Sequence, residues 1–515
     1  MSNPSSQVYK GDEITSIVID PGSYTTNIGY SGTDCPQVIL PSNYGSYTNS
    51  QKQPEESADG NTEQLTSNTE DGQTDDYSPS KKKLKKWKRV FGEQSICIPR
   101  PDYEIKPVVE NGIIVDWDAA QEQWTWALET QMYLSSNKGI PALLTEPIWN
   151  TVNNRKKSLE VLLEGLDFEA CYLAANPTCV SFAAGRPNCL VVDIGHDTCG
   201  VSPVVDGMTL SKSSLRNFFA GKYLNELIRQ YLNPREIIPL FAIEKRRPEF
   251  KKRVFEYSVD KSLYNFANDR GVFQEIKETL CQVSPTLPLK RRKTELEALA
   301  KRSIEMPWTE ELVVDNMTRY SFGEQLFEVQ KENIPENWDV SKDGTVMTWH
   351  NDYVPLKRNK PGVNSAKNGE DTPQLPNTEK STASNPEEDT NENGKRTLQE
   401  GEEEKHEIYG ITDLVYSSIM ASDVDLRATF AHNIVLTGGT SLIPGLSDRL
   451  MYELNQRLPS LKFRILSSGH SRERLYQSWL GGSILTSLGT FHQLWVGKEE
   501  YAEVGPDRLL NDRFR

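Results

Sequence analysis

The sequence predicts an α/β protein of two lobes, each a mixed sheet with helices, interrupted by two disordered insertions. Three observations carry this. A β-hairpin pattern tipped by Asp occurs twice, at Ile17–Gly29 and at Leu190–Val201. Strand-like and helix-like stretches alternate after each copy, as layered α/β folds require. Two stretches, about 46–90 and about 357–407, have compositions that cannot build a core.

Each hairpin is an apolar, β-branched run ending in Asp, then a Gly-containing turn, then a second strand-like run. The first tip reads Asp20-Pro21-Gly22-Ser23-Tyr24-Thr25 and the second Asp193-Ile194-Gly195-His196. Gly22 and Gly195 let the backbone approach a ligand closely. Successive N–H groups in such a turn form an anion-binding concavity. A neighbouring Asp can hold Mg²⁺, usually through water, while the metal bridges phosphate oxygens. Two facing hairpins therefore predict a nucleotide clamped between lobes, with Asp20 and Asp193 directed at the metal.

The remaining elements follow in order. An amphipathic helix is predicted from Gly112 to Leu134, capped by Asp116. Residues 141–146 read as a buried strand, and Asn153 to Gly165 as a second helix. Helical stretches are predicted around 221–232 and 273–281, and a charged helix over Leu287–Arg302. Leu312–Phe327 alternates like a strand. Helix resumes at Ile411–Met420, a strand at 432–436 enters Thr437-Gly438-Gly439-Thr440, and a helix follows at about 444–457. Trp479-Leu480-Gly481-Gly482-Ser483-Ile484-Leu485 leads into a last apolar helix.

Composition narrows the function classes. The chain has 515 residues, a net charge of −15 and a pI near 5.1, which argues against a whole-protein polyanion binder. Its seven cysteines form no CxxC pair, so buried thiols are expected rather than disulfides or zinc. The start of the chain lacks the basic and apolar regions of a signal peptide, and no run of 18 apolar residues occurs, so neither leader nor membrane span is expected. Residues 46–80 carry eight acidic residues and one Lys. The sign then reverses: Lys81, Lys82, Lys83, Lys85, Lys86, Lys88 and Arg89 make seven basic residues in nine. Such a run fits nuclear import or a nucleic-acid contact, or is simply solvated charge.

The glycines of Thr437-Gly438-Gly439-Thr440, between strand and helix, allow close approach to a phosphate or adenine, or make a tight turn. Lys277 and Glu278 would contact a ribose or base, or occupy a solvated helix face.

On these residues the chain resembles the actin family, most closely its nuclear actin-related proteins. The two hairpins match the family's phosphate hairpins, and Lys277-Glu278-Thr279-Leu280-Cys281 its adenosine-contacting helix. Asp423-Val424-Asp425-Leu426-Arg427, Thr437–Thr440 and Ile443-Pro444-Gly445-Leu446 match the motif at the adenine end, and Trp479–Leu485 the C-terminal signature. The resemblance implies the actin-like ATPase fold around a nucleotide cleft. One lobe would comprise 1–183 and 477–515, the other 184–476.

The departures from the family are as informative. Tyr24 stands where actin has Gly, Asn27 where it has a phosphate-binding Lys, and Asn176 where it has a water-orienting Gln. His196 replaces an Asp near the metal, Gly200 a His near the attacking water, and Leu475 an adenine-side Lys. The resemblance thus implies structural binding of ATP and Mg²⁺ by Asp20, Gly22, Ser23, Tyr24, Thr25, Asp193, Gly195, His196, Lys277, Glu278, Gly438, Gly439 and Thr440, with no catalytic residues. Phe182, Gly185, Ile484, Leu485 and Leu488 fall on the family's groove for partner helices, or are ordinary core. The implied role is a non-catalytic subunit of nuclear chromatin-remodelling and histone acetyltransferase complexes. It would pair with monomeric actin on a helical scaffold subunit and help engage histones or nucleosomes. The alternatives are an active actin-like ATPase with a hydrolysis-driven cycle, or a filament former, which the charged insert disfavours.

Overall fold

The computed structural model describes residues 15–48, 87–286, 293–336, 338, 346–347, 408–467 and 470–514. Two large sheets repeat one plan. In the first, Ile17–Pro21 pairs antiparallel with Thr25–Tyr30, which pairs antiparallel with Val38–Pro41. On its other side Ile17–Pro21 runs parallel to Pro141–Glu146, which runs parallel to Ala170–Ala175. In the second, Cys189–Ile194 pairs antiparallel with Cys199–Val205, which pairs antiparallel with Leu215–Asn217. Cys189–Ile194 also runs parallel to Ile434–Thr437, which runs parallel to Ile465–Ser467. The hairpin holds the same place in both sheets, the relation expected of an internal duplication.

Burial explains why the hairpins open with unbroken apolar runs. Ile17, Val18 and Ile19 are all fully buried, as are Leu190 and Val192, because these central strands are covered on both faces. Each lobe has its own core. One gathers Ile17, Ile19, Trp124, Leu159 and Phe168, the other Leu190, Val192, Tyr223, Phe273 and Phe430.

The chain crosses between the sheets through two helices, Asn176–Ala183 and Gln477–Ser487, which pack on each other. A Cβ at Gly481 would lie 1.7 Å from the Cys179 carbonyl oxygen, so only hydrogen fits there. Trp479 donates its indole N–H to the Val18 carbonyl at 3.1 Å, tying this helix to the first hairpin strand. The Trp479–Leu485 motif is thus the crossing helix itself.

Most predicted elements appear close to their expected bounds. Asp116 caps the helix Trp117–Trp126 by accepting the Ala119 N–H at 2.9 Å, and the helix Gly221–Leu232 matches the expected 221–232. Three expectations need correction. The disordered insert does not span 46–90, because Asn43–Thr48 pairs with Trp87–Val90 and with Tyr103–Pro107 in a small third sheet. The charged helix is described only as Lys293–Ala298, and Arg302 begins the strand Arg302–Glu305, paired with Glu311–Val314. Strand alternation stops at Val314, where the Asp315 carboxylate accepts the Thr318 N–H at 2.9 Å and caps the helix Asn316–Glu324. The insertions at 49–86 and 357–407 lie outside the described residues.

Candidate functional site

The two hairpin carboxylates sit in different surroundings. Asp20 is buried and accepts from Thr145 Oγ1 at 2.5 Å and from Asn27 Nδ2 at 3.2 Å. Burial raises its pKa, and these hydrogen bonds, with further ones from Ser478 and the Trp479 backbone, oppose the rise. Asp193 is pushed up to about 6, first by burial and then by the charge of Asp20. Two carboxylates from separate lobes therefore share one field, and neither forms an ion pair among the described residues. No cluster of three or more His, Cys, Asp or Glu side chains forms a metal site among those residues. Two carboxylates from separate lobes, one of them raised by the charge of the other, fit a divalent ion that keeps waters and phosphate oxygens as its remaining ligands.

The turns are built from backbone contacts. Gly22 N–H donates to the Thr25 carbonyl at 3.0 Å, and Gly195 N–H to the Thr198 carbonyl at 2.9 Å. Gly438 has φ of +87°, and a Cβ there would lie 2.3 Å from the Ile194 carbonyl and 2.5 Å from Asp193 Oδ1. Glycine is required because this turn packs directly on the second hairpin. Thr440 Oγ1 donates to the Gly195 carbonyl at 2.7 Å, and Lys222 N–H to the His196 carbonyl at 2.7 Å.

Lys277 and Glu278 separate. Lys277 Nζ reaches the Gly221 carbonyl at 3.5 Å, and burial pulls its pKa down to about 8. Glu278 is exposed and accepts from Gln274 at 2.5 Å. Gly439 faces Leu475, whose methyl would lie 3.2 Å from an added Cβ.

Tyr24 and His196, one from each hairpin tip, contact each other. The Tyr24 and His196 rings lie 4.9 Å apart, and the Arg270 guanidinium lies 4.0 Å from the centre of the Tyr24 ring. Arg270 also donates to the Tyr24 carbonyl. Burial, and the cations Lys277, Lys222 and Arg270, hold His196 well below its ordinary pKa, so it is neutral at pH 7. Asn27 donates its side-chain amide N–H to Asp20. Asn176 Oδ1 is buried with no hydrogen-bond partner among the described residues. Beside Gly200, the Trp149 ring would lie 3.7 Å from an added Cβ.

One turn that sequence reasoning missed joins the hairpins. Gly112 N–H donates to Ser23 Oγ at 2.9 Å, and Asn111 N–H donates to Asp197 Oδ2 at 2.8 Å. Asn111-Gly112 is a recognisable turn signal, and both residues have positive φ. Nothing local in the sequence shows what the turn bonds.

Two groups of expected residues divide. Ile484 and Leu488 are partly exposed, at 36% and 41%, and Phe182 is half-buried against Gly207. Gly185 has open space around it. Leu485 instead faces inward, buried with Val18, Leu143 and Trp479, so it belongs to the core and not to a groove. In the basic run, Lys81, Lys82, Lys83, Lys85 and Lys86 lie outside the described residues. Lys88 and Arg89 lie in a strand, not in a disordered stretch, and Arg89 pairs with Glu122 at 2.5 Å.

The comparisons with known proteins agree with this architecture. The family profile described as Actin matches residues 11–514. The chain belongs to the actin family. It is 63% identical to actin-related protein 4 of Saccharomyces cerevisiae, over the whole of both chains. It is 55% identical to actin-related protein 4 of Kluyveromyces lactis over the whole of both, and 32% identical to that of Schizosaccharomyces pombe over 98% of each. Within the actin family, then, this chain keeps both hairpins and the glycine turn that packs on them. No described helix is long and apolar enough to cross a membrane.

Proposed function

We propose that this actin-family protein is a non-catalytic subunit of nuclear chromatin-remodelling and histone acetyltransferase assemblies, with bound ATP as a structural ligand. The observation that carries the non-catalytic part is the Asn27–Asp20 hydrogen bond. The place of a phosphate-facing cation is taken by a neutral amide already committed to a carboxylate. Tyr24 and His196, in contact with each other, take two further positions beside the phosphates.

Asp20 and Asp193 would hold Mg²⁺ through water. The Gly22–Thr25 and Gly195–His196 turns would face the phosphates, and Lys277 with Gly438–Thr440 the nucleoside. Mg²⁺ would offset the negative charge of Asp20, Asp193 and the phosphates, and ligand binding would stabilise the fold by mass action. The assembly role rests on the likeness to nuclear actin-related proteins. On this reading Phe182, Ile484 and Leu488 receive a helix of a scaffold subunit beside monomeric actin, and histones or nucleosomes are engaged within that assembly.

Two experiments test the reading. Single-turnover assay of the purified full chain should show no phosphate release on actin's timescale; release at a comparable rate overturns the non-catalytic assignment. Affinity purification from nuclear extract should recover actin with a large remodeller or acetyltransferase subunit. Recovery of filaments in place of such subunits overturns the assembly role.

A further inference from the structure

The second lobe carries a charged feature that the nucleotide cleft does not use. The strands Ile243–Lys245 and Lys251–Lys252 pair antiparallel as a separate hairpin. Within nine residues it holds Lys245, Arg246, Arg247, Lys251, Lys252 and Arg253 against a single acidic residue, Glu249. This reverses the sign of the chain as a whole, whose net charge is −15. Every residue from 244 to 254 is exposed. The foot of the hairpin is fixed: the Phe241 ring lies 6.2 Å from that of Phe255 and 5.1 Å from that of Tyr264, and Arg253 N–H donates to the Ala242 carbonyl at 2.8 Å. A rigid foot thus presents a projecting basic ribbon.

The protein does not balance this charge. Lys245 and Lys251 are register partners, and like charges directly opposite each other weaken a strand pair. Folding alone therefore gives no reason for the arrangement. Nearby carboxylates are fewer than the cations. Arg246 at 3.6 Å and Arg247 at 2.8 Å share Glu305, Lys251 pairs with Glu244 at 2.9 Å, and Lys252 pairs with Glu236. Lys245 and Arg253 form no ion pair among the described residues. The pairs that do form are solvent-exposed, and such pairs are weak and screened by salt.

We propose that this hairpin binds the phosphate backbone of duplex DNA. A two-stranded β-ribbon is narrow enough to enter the major groove, where phosphates flank it on both sides. Arginine presents a planar fork that fits phosphate oxygens. The exposed ion pairs exchange for phosphates, and the DNA releases condensed counterions as they do. Contacts to phosphate position a protein without reading bases, so binding is general and not sequence-specific. The acidity of the rest of the chain leaves such local patches to supply the attraction. The inference adds a DNA contact to the nucleosome engagement proposed above but does not depend on it. Free duplex tests it without nucleotide or partner subunits, so either reading can fail alone.

The test measures binding of the full chain to a fluorescent DNA duplex of random sequence by anisotropy, across a salt series. Four proteins are compared, with circular dichroism to establish folding. They are wild type, Lys245→Gln/Arg247→Gln/Lys251→Gln/Arg253→Gln, Lys245→Gln alone, and Lys81→Gln/Lys82→Gln/Lys83→Gln. Wild type should bind, with an affinity that falls as salt rises. The fourfold hairpin variant should lose at least about tenfold in affinity at low salt, and its slope of log affinity against log salt should shrink by about three to four. Lys245→Gln should lose about two- to fourfold, and it carries the decision if the fourfold variant fails to fold. Wild-type affinity and slope in the folded hairpin variants overturn the proposal. So does a wild type that binds no duplex at low salt, or a loss confined to the Lys81 variant. Displacement of the labelled duplex by poly-glutamate more readily than by unlabelled duplex also overturns it, and assigns the hairpin to an acidic protein surface.

Discussion

Asn27 and Asp20 face each other across the first hairpin as register partners, joined by an amide-to-carboxylate hydrogen bond of 3.2 Å. This bond stabilises the ionised form of a buried carboxylate. Replacing Asn27 with Leu removes the donor and leaves Asp20 Oδ2 without it. The expected cost is about 1–3 kcal/mol at pH 7. Because the lost bond favours the charged form, the cost should shrink as pH falls and Asp20 protonates. Urea unfolding of both proteins along a pH series from neutral to acid checks this; a cost that stays constant as pH falls contradicts it.

Asp193 gives the opposite pH signature to a salt-bridged Asp. Its folded pKa, about 6, lies above the ordinary 3.8, so the folded state keeps a proton that the unfolded state releases. Ionisation therefore costs stability, starting above about pH 4 and complete above about pH 6. Asp193→Asn should stabilise the nucleotide-free protein by about 1–2 kcal/mol at pH 7.5, after allowance for solvent screening, and by less at pH 5. Thermal melts across that range measure it.

Gly481 and Gly497 make a matched pair. A Cβ at Gly481 meets the Cys179 carbonyl oxygen at 1.7 Å, whereas one at Gly497 meets nothing within 4 Å. Gly481→Ala should force the two crossing helices apart and cost about 2–3 kcal/mol. Gly497→Ala should stay within about 0.5 kcal/mol of wild type. Denaturant midpoints compare the two directly.

Leu485 and its neighbours should part company under mutation. Ile484→Asp and Leu488→Asp alter partly exposed side chains and should leave unfolding free energy within about 0.5 kcal/mol, while abolishing co-purification of a scaffold helix. Leu485→Ala opens a cavity in the crossing-helix core and should cost about 2–4 kcal/mol. Parallel melts and pull-downs on the three variants check both halves.

The hairpins were legible because their apolar runs, terminal Asp and turn glycines are adjacent in the chain, and strand periodicity is a local property. The Asn316–Glu324 helix was not. Val313 and Val314 end a strand, and only the Asp315 cap and the burial of Tyr320 and Phe322 decide that helix follows. Arg89 shares the charge of its sequence neighbours, but its place in a strand depends on Ser46, its partner across the insertion.

By itself the sequence determined the family, the paired hairpins and the residues at their tips, since all of these are written in short contiguous motifs. Only the tertiary structure decided that Tyr24, His196 and Arg270 touch, that Asn111 and Gly112 bridge both hairpins, and that Ile105 packs with Phe266 across the cleft. These contacts join residues far apart in the chain. Their geometry follows from how two separately built lobes are docked, which no local pattern of residues encodes.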